Sequence, residues 1–392
     1  MKNEARGSLF GSILLIAGCC IGAGMLGVPL VTAQAGFIPS SLLFFASWLF
    51  MALTGLLLLE VNLAYQEGCN LITLAEKTLG KGGKIIAWIL FSFLFYSLMV
   101  AYIAASGAIF SQVSFLPHGL SSILLVLFFV VFLYAGTKAV DGLNRVLMLV
   151  LAASYLILLW LGLPEISPER LLAGDFAAAA FVAPVMVISF GYHNLIPSLA
   201  SYLGGDRSRL RKAVLIGSFL PLIVYLLWEA VILGLLPMNS HTQEAIHAGA
   251  MATELVREAV GSGRVVALIA IFSFFAIVTS FLSVAFSFID FLSDGLKSGR
   301  KGMLCFLSVG PPLLFALLYP KIFTTALSLA GAYGAVILYG IMPALMAWTV
   351  RYRQKRGGAP LVPGGRAVLL LVIAFALYVV LFESLKHWGA LQ

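Results

Sequence analysis

Apolar residues run through this chain in long blocks broken by short polar interruptions, and each block approaches the roughly 20 residues that a helix needs to cross a bilayer. Counting them predicts about eleven membrane spans, centred near residues 20, 50, 98, 127, 151, 188, 223, 277, 311, 335 and 375. Two of these spans are not plain apolar helices. Gly18-Cys19-Cys20-Ile21-Gly22-Ala23-Gly24-Met25-Leu26-Gly27-Val28-Pro29 places glycines and a proline in the middle of the first. Ser189-Phe190-Gly191-Tyr192-His193-Asn194, followed by Pro197, interrupts the sixth. Glycine lowers helix stability and proline removes a donor, so backbone groups are freed at a depth where lipid offers no partner. Such groups persist where protein, water or a bound solute satisfies them.

Five spans separate the two breaks, so the segments carrying them enter the membrane with opposite orientation. This pattern predicts an all-α polytopic membrane protein built as an inverted repeat of five plus five helices with broken helices 1 and 6. Repeat one covers about 8–163, repeat two about 175–350, and an additional helix about 366–385. No Pro/Gly/Ser-rich linker divides the chain, which therefore reads as one transmembrane domain. The longest non-membrane segment, roughly 237–262, has the spacing of a short surface helix, and 66–84 has room for another near Leu71 to Leu79.

Composition agrees with the pattern: 61% of the 392 residues are hydrophobic and 10% charged, with a mean hydropathy of +1.06. The net charge of +8 is a topology signal. With the N-terminus inside, 19 of the 24 lysines and arginines fall on the cytoplasmic face, leaving Arg170, Arg257, Arg264, Lys321 and Lys386 outside, as the positive-inside rule requires. An odd number of spans then puts the C-terminus outside. No aromatic-basic pattern argues for nucleic acid. Cys19, Cys20, Cys69 and Cys305 form neither a disulfide nor a zinc pattern. No paired metal ligands or nucleophile with a base suggest an enzyme, so no cofactor is expected beyond a coupling ion, H+ or Na+.

The breaks carry the candidate chemistry. The N–H groups of Ala23, Gly24 and Met25, beside Gly22, open the second half of span one. Unsatisfied donors and the helix dipole make them candidates for a substrate carboxylate, against the alternative that the glycines serve close helix packing. Ser189, Phe190, Gly191, Tyr192 and His193 pair a break with two aromatics. There His193 would read the polar tip of an aromatic ligand, carry a proton, or hold the break open through a carbonyl. In span eight, the carbonyl of Ala276 and the hydroxyls of Thr279 and Ser280 could join the carbonyls of Gly18 and Ile21 as five oxygens around a small cation, though such hydroxyls often bond their own helix. Glu60, Glu229 and Asp290 are the carboxylates within or at the edge of spans. Functional use is the default for such groups. Glu60 and Asp290 are expected to pair with Arg145 or Lys297, and Glu229, deeper in its span, is the proton-carrier candidate.

Ala17 to Pro29, Leu57-Leu58-Leu59-Glu60-Val61, Val140-Asp141-Gly142-Leu143-Asn144-Arg145, and Ser189 to His193 with Pro197-Ser198 together resemble the bacterial hydroxy/aromatic amino acid permease family, most closely its tyrosine-specific members. The resemblance runs from about residue 7 to the last span. It implies the leucine-transporter-type fold, a place in the bacterial cytoplasmic (inner) membrane, and proton-coupled uptake of an aromatic amino acid. Sodium coupling, or tryptophan or another neutral amino acid as substrate, are the alternatives. Two positions depart from the family pattern: Glu229 stands where members carry a neutral polar residue, and Asn194 replaces a small one beside the break.

Overall fold

A computed structural model describes residues 7–65, 69–237, 239–247, 250–260, 263–356 and 358–388. Lys2 and Arg6, counted above as cytoplasmic charges, lie outside them. Helices are α1 (Leu9–Cys20), α2 (Gly24–Thr32), α3 (Phe37–Tyr65), α4 (Leu71–Ser114), α5 (His118–Ala135), α6 (Thr137–Gly162), α7 (Pro168–Leu172), α8 (Phe176–Ala179), α9 (Ala183–Ser189), α10 (Ile196–Tyr202), α11 (Arg207–Leu235), α12 (Ser240–His247), α13 (Ala252–Val260), α14 (Arg264–Leu296), α15 (Lys301–Leu318), α16 (Phe323–Leu329), α17 (Met342–Trp348) and α18 (Gly365–His387). Short polar residues start several of them. Ser8 accepts from Gly11 N–H at 2.9 Å, Asn70 from Thr73 N–H at 2.9 Å, and Asp206 from the N–H groups of Ser208 and Arg209 at 3.1 Å; each side chain satisfies donors that the first helical turn cannot.

Among the described residues, nine helical stretches are long and apolar enough to cross a membrane, and α1 with α2 make a tenth if the pair is one span bent by 50°. The sixth expected span is the region of α9 and α10, each 7 residues long with the break between them. The outward faces are apolar: Leu149, Trp160, Phe306 and Leu371 are exposed, an arrangement suited to lipid rather than water. The protein is a multi-pass membrane protein.

Residues 71–79 form the short helix expected near Leu71 to Leu79, set off from the rest of α4 by a kink at Gly80 (φ 78°), a left-handed conformation open to glycine without a Cβ penalty. Two local features differ from the sequence reading. The segment expected to hold one surface helix holds two, α12 and α13. Between α16 and α17 the chain winds as a π-helix over Ala330–Ile341, a widening of the helix frequently found at functional sites.

Glu60 corrects an expectation. It pairs with Arg351, not Arg145, because α3 packs against α17, and Arg351 lies in the π-helical stretch Thr349–Arg353 that continues α17. Arg351 Nε and Nη2 donate to the two carboxylate oxygens at 2.6 and 2.8 Å, and Leu361 N–H adds a third bond at 2.8 Å. Both side chains are buried. Removing one partner of such a pair strands a buried charge at a cost of about 3–5 kcal/mol. Arg351→Leu should therefore lower the denaturation temperature sharply, while Glu60→Leu/Arg351→Leu should recover much of it. Asp290 is exposed on α14, with no ion pair to Lys297 among the described residues.

Candidate functional site

The two breaks meet in the interior. In the first, Ile21 is extended (φ −71°, ψ 103°), ending α1 and letting α2 restart at Gly24. In the second, α9 ends at Ser189, Phe190 and Tyr192 leave helical geometry, and α10 resumes at Ile196. Close approach explains two glycines. A Cβ on Gly22 would collide with Ser280 Oγ, and one on Gly24 would sit 3.0 Å from Ser189 Oγ and 3.3 Å from Ser189 Cα.

A cavity of about 90 Å³ lies where they meet, lined by Cys19, Cys20, Gly22, Ala23, Gly24, Ser189, Gly191 and Asn194 from the breaks and Ser280 from α14. Its apolar wall is Leu94, Phe95, Leu98 and Tyr102 of α4, Val284 of α14 and Tyr339 of the π-helix. A larger vestibule of about 370 Å³ shares Cys19, Phe95, Tyr102, Asn194, Ser280 and Val284 with it, and continues past Leu14, Leu15 and Gly18 toward the N-terminal end of α1. The inner cavity is smaller than the roughly 150 Å³ that admits benzene in an engineered core, so an aromatic ring requires the vestibule or a further opening.

The break donors divide. Ala23 N–H donates to Ser280 Oγ at 2.8 Å, and Met25 N–H to the Gly22 carbonyl at 3.1 Å. Among the described residues, the N–H groups of Gly22 and Gly24 have no protein acceptor, and both glycines face the cavity. Met25, Phe190, Tyr192 and His193 do not line it. Met25 instead offers its carbonyl to Trp228 Nε1 at 3.0 Å. Tyr192 OH donates to the Met51 carbonyl at 3.1 Å. Phe190 packs edge-on against Tyr225, ring centroids 5.2 Å apart.

His193 is fully buried, with Nε2 2.9 Å from Thr54 Oγ1 and its ring stacked on Tyr339 at 4.8 Å and 9°. Nδ1 has no partner. The side chain thus sits behind a residue of the cavity wall. For the aromatic amino acid uptake that the sequence resemblance implies, His193→Ala should weaken tyrosine and phenylalanine by the same factor, through loss of the support under Tyr339. A loss confined to tyrosine, of about two- to tenfold, would instead place the imidazole on the ring hydroxyl.

Of the cation candidates, Gly18, Ile21, Thr279 and Ser280 face one vestibule, whereas Ala276 does not line it. Thr279 Oγ1 donates to its own helix, to the carbonyls of Phe275 at 2.9 Å and Ala276 at 3.1 Å. Glu229 is fully buried on α11. Its Oε1 lies against Thr32 Oγ1 in the last turn of α2, and Oε2 has no partner. An ionised carboxylate there would be uncompensated.

Sequence reasoning missed Tyr102, Tyr339, Phe95 and Tyr225. The first three line the cavity, and the hydroxyls of Tyr102 and Tyr339 have no hydrogen-bond partner among the described residues. A lone tyrosine deep in an apolar span was the available signal, but its facing cannot be read without the packing.

Buried irregular backbone around a polar-and-aromatic cavity, inside a bundle of membrane-crossing helices, defines a membrane protein that handles a small solute in its interior. The sequence profile of the tryptophan/tyrosine permease family matches residues 5–383. The chain is 35% identical to the tyrosine-specific transport system 2 of Haemophilus influenzae, over 100% of this chain and 98% of that one. Identity is also 35% to the tyrosine-specific transport system 1 of the same organism, over 94% of each chain. It is 30% to the tryptophan-specific transport protein of Pseudomonas aeruginosa, over 98% of this chain and 96% of the other. The chain belongs to the tryptophan/tyrosine permease family.

Proposed function

We propose that this protein imports an aromatic amino acid, tyrosine foremost, by proton symport across the bacterial cytoplasmic membrane, with its N-terminus inside and C-terminus outside. The observation that carries this reading is the cavity at the junction of the two breaks, which joins two unpartnered backbone donors to an aromatic wall. Family membership and relatives described as tyrosine-specific and tryptophan-specific support the substrate class. The underlying architecture is the leucine-transporter-type 5+5 inverted repeat, spans one and six being its broken helices.

In this reading the Gly22 and Gly24 N–H groups, at the positive end of α2, receive the carboxylate. The carbonyls ending α1 and α9 face the ammonium, and the ring lies along Phe95, Tyr102, Val284 and Tyr339. The vestibule then opens to the cytoplasm, which makes this an inward-facing conformation. Glu229 carries the coupling proton. Sodium is the second reading, favoured by the shared facing of Gly18, Ile21, Thr279 and Ser280.

Uptake into proteoliposomes under separate proton and sodium gradients, with tyrosine, tryptophan and phenylalanine in competition, tests the whole. Tyrosine should accumulate under an inward proton gradient, and tyramine, which lacks the carboxylate, should compete poorly. Sodium should neither stimulate uptake nor raise thermal stability, as an ion bound only to the folded state would. Sodium stimulation abolished by Thr279→Ala would transfer the coupling to that ion.

A further inference from the structure

Tyr225 lies outside every role assigned above. It sits on α11, fully buried, and its hydroxyl is 2.6 Å from the carbonyl oxygen of Cys20 and 2.7 Å from that of Ser189. These are the last carbonyls of α1 and α9, one from each break, and both residues line the cavity. The ring is held independently of the hydroxyl. It packs tilted on Phe44 at 5.7 Å and edge-on to Phe190 at 5.2 Å, and those two rings meet each other at 6.4 Å.

We propose that Tyr225 is a positioning residue: its hydroxyl ties the ends of the two broken spans together and sets the spacing of the carbonyls that receive an ammonium group. A phenol has one proton and here meets two acceptors, each with two lone pairs. Both carbonyls also carry the negative end of a helix dipole. One shared donor leaves acceptor capacity on the cavity side that a cationic donor completes, and a charge-assisted bond is the stronger kind. Movement of one break relative to the other must also break this link, so the hydroxyl couples their opening. The ammonium assignment rests on the aromatic amino acid reading above; the tie between the breaks does not.

Tyr225→Phe preserves the ring cluster and removes only the hydroxyl. Competition binding should show tyrosine affinity falling about tenfold, as the carbonyls lose the spacing that an ammonium group bridges and one bond's worth of affinity goes with it. The deaminated analogue 3-(4-hydroxyphenyl)propanoate should change by less than about twofold. Equal losses for both ligands, or none for either, would overturn the ammonium role. A second arm uses no substrate. Cys20 is buried beside the tie, so its labelling by a small methanethiosulfonate, followed by mass spectrometry at a temperature where both proteins remain folded, should rise severalfold in Tyr225→Phe. Unchanged Cys20 labelling would overturn the tie. A wild-type protein that binds no aromatic amino acid would remove the transport reading and the ammonium role with it, while the thiol arm still decides whether Tyr225 holds the breaks together.

Discussion

Glu229→Gln is expected to abolish accumulation of substrate driven by a pH gradient while leaving substrate binding and exchange across the membrane intact. The reason is a count of protons at the end of α2. Thr32 Oγ1 has one proton and two neighbours able to take it, the Val28 carbonyl at 2.9 Å and Glu229 Oε1. If the hydroxyl donates to Val28, the bond to Glu229 needs a proton from the carboxyl itself. If the carboxyl is ionised, Thr32 must turn its proton toward it and release Val28, and Oε2 stays unpartnered in either state. A proton on Glu229 therefore selects between two bonding patterns in the helix whose other end carries the Gly24 donor. The adjacent Trp228 already holds that helix through the Met25 carbonyl. Glutamine keeps the shape and a donor but cannot change state, so it fixes one pattern.

The measurement is paired. Concentrative uptake under an imposed proton gradient should fall at least about tenfold, while equilibrium affinity stays within about 1 kcal/mol of wild type. Wild-type accumulation in Glu229→Gln would reject the carrier role. His193 would then be the next group to test, since Nδ1 is unpartnered in the interior, whereas Glu60 is locked to Arg351 and Asp290 is exposed.

The positions of the breaks were legible in the sequence because glycine and proline act through the backbone, and their effect on a helix does not depend on neighbours. α1 ends at Cys20, two residues before Gly22, and α9 at Ser189, two residues before Gly191. Glu229 could also be placed as a buried carboxylate by its depth in an apolar span. Side-chain facing was harder to read. His193 lies within the second break, yet its ring turns behind Tyr339, because the backbone around Phe190 and Tyr192 is irregular and no helical period applies there. Glu60 was matched with the nearest basic residues expected on its face, but its partner comes from a helix far along the chain. Tyr225 gave no signal, since its importance lies in two carbonyls, and every residue type has one of those.

Gly22→Ala is expected to eliminate transport, and a second substitution should restore part of it. A methyl at position 22 would occupy the space of Ser280 Oγ, the same oxygen that accepts the Ala23 N–H at 2.8 Å. The next atoms are farther off, Ser280 Cβ at 3.5 Å and the Ala276 carbonyl at 3.9 Å, so the conflict is confined to one hydroxyl. Ser280→Ala removes that oxygen and makes room. It also leaves Ala23 N–H without its acceptor, a loss of about 1–3 kcal/mol when a buried donor is stranded, so recovery should be incomplete. Uptake should then rank wild type first, Ser280→Ala and the double variant in the middle, and Gly22→Ala last, with all four inserted in the membrane at similar levels. Such non-additivity is the mark of two side chains in contact. If Gly22→Ala transports normally, break one does not pack on α14 as described. If the double variant is no better than Gly22→Ala, the glycine is required by the backbone or the ligand rather than by Ser280, and the donor role of the Gly22 N–H becomes the stronger account.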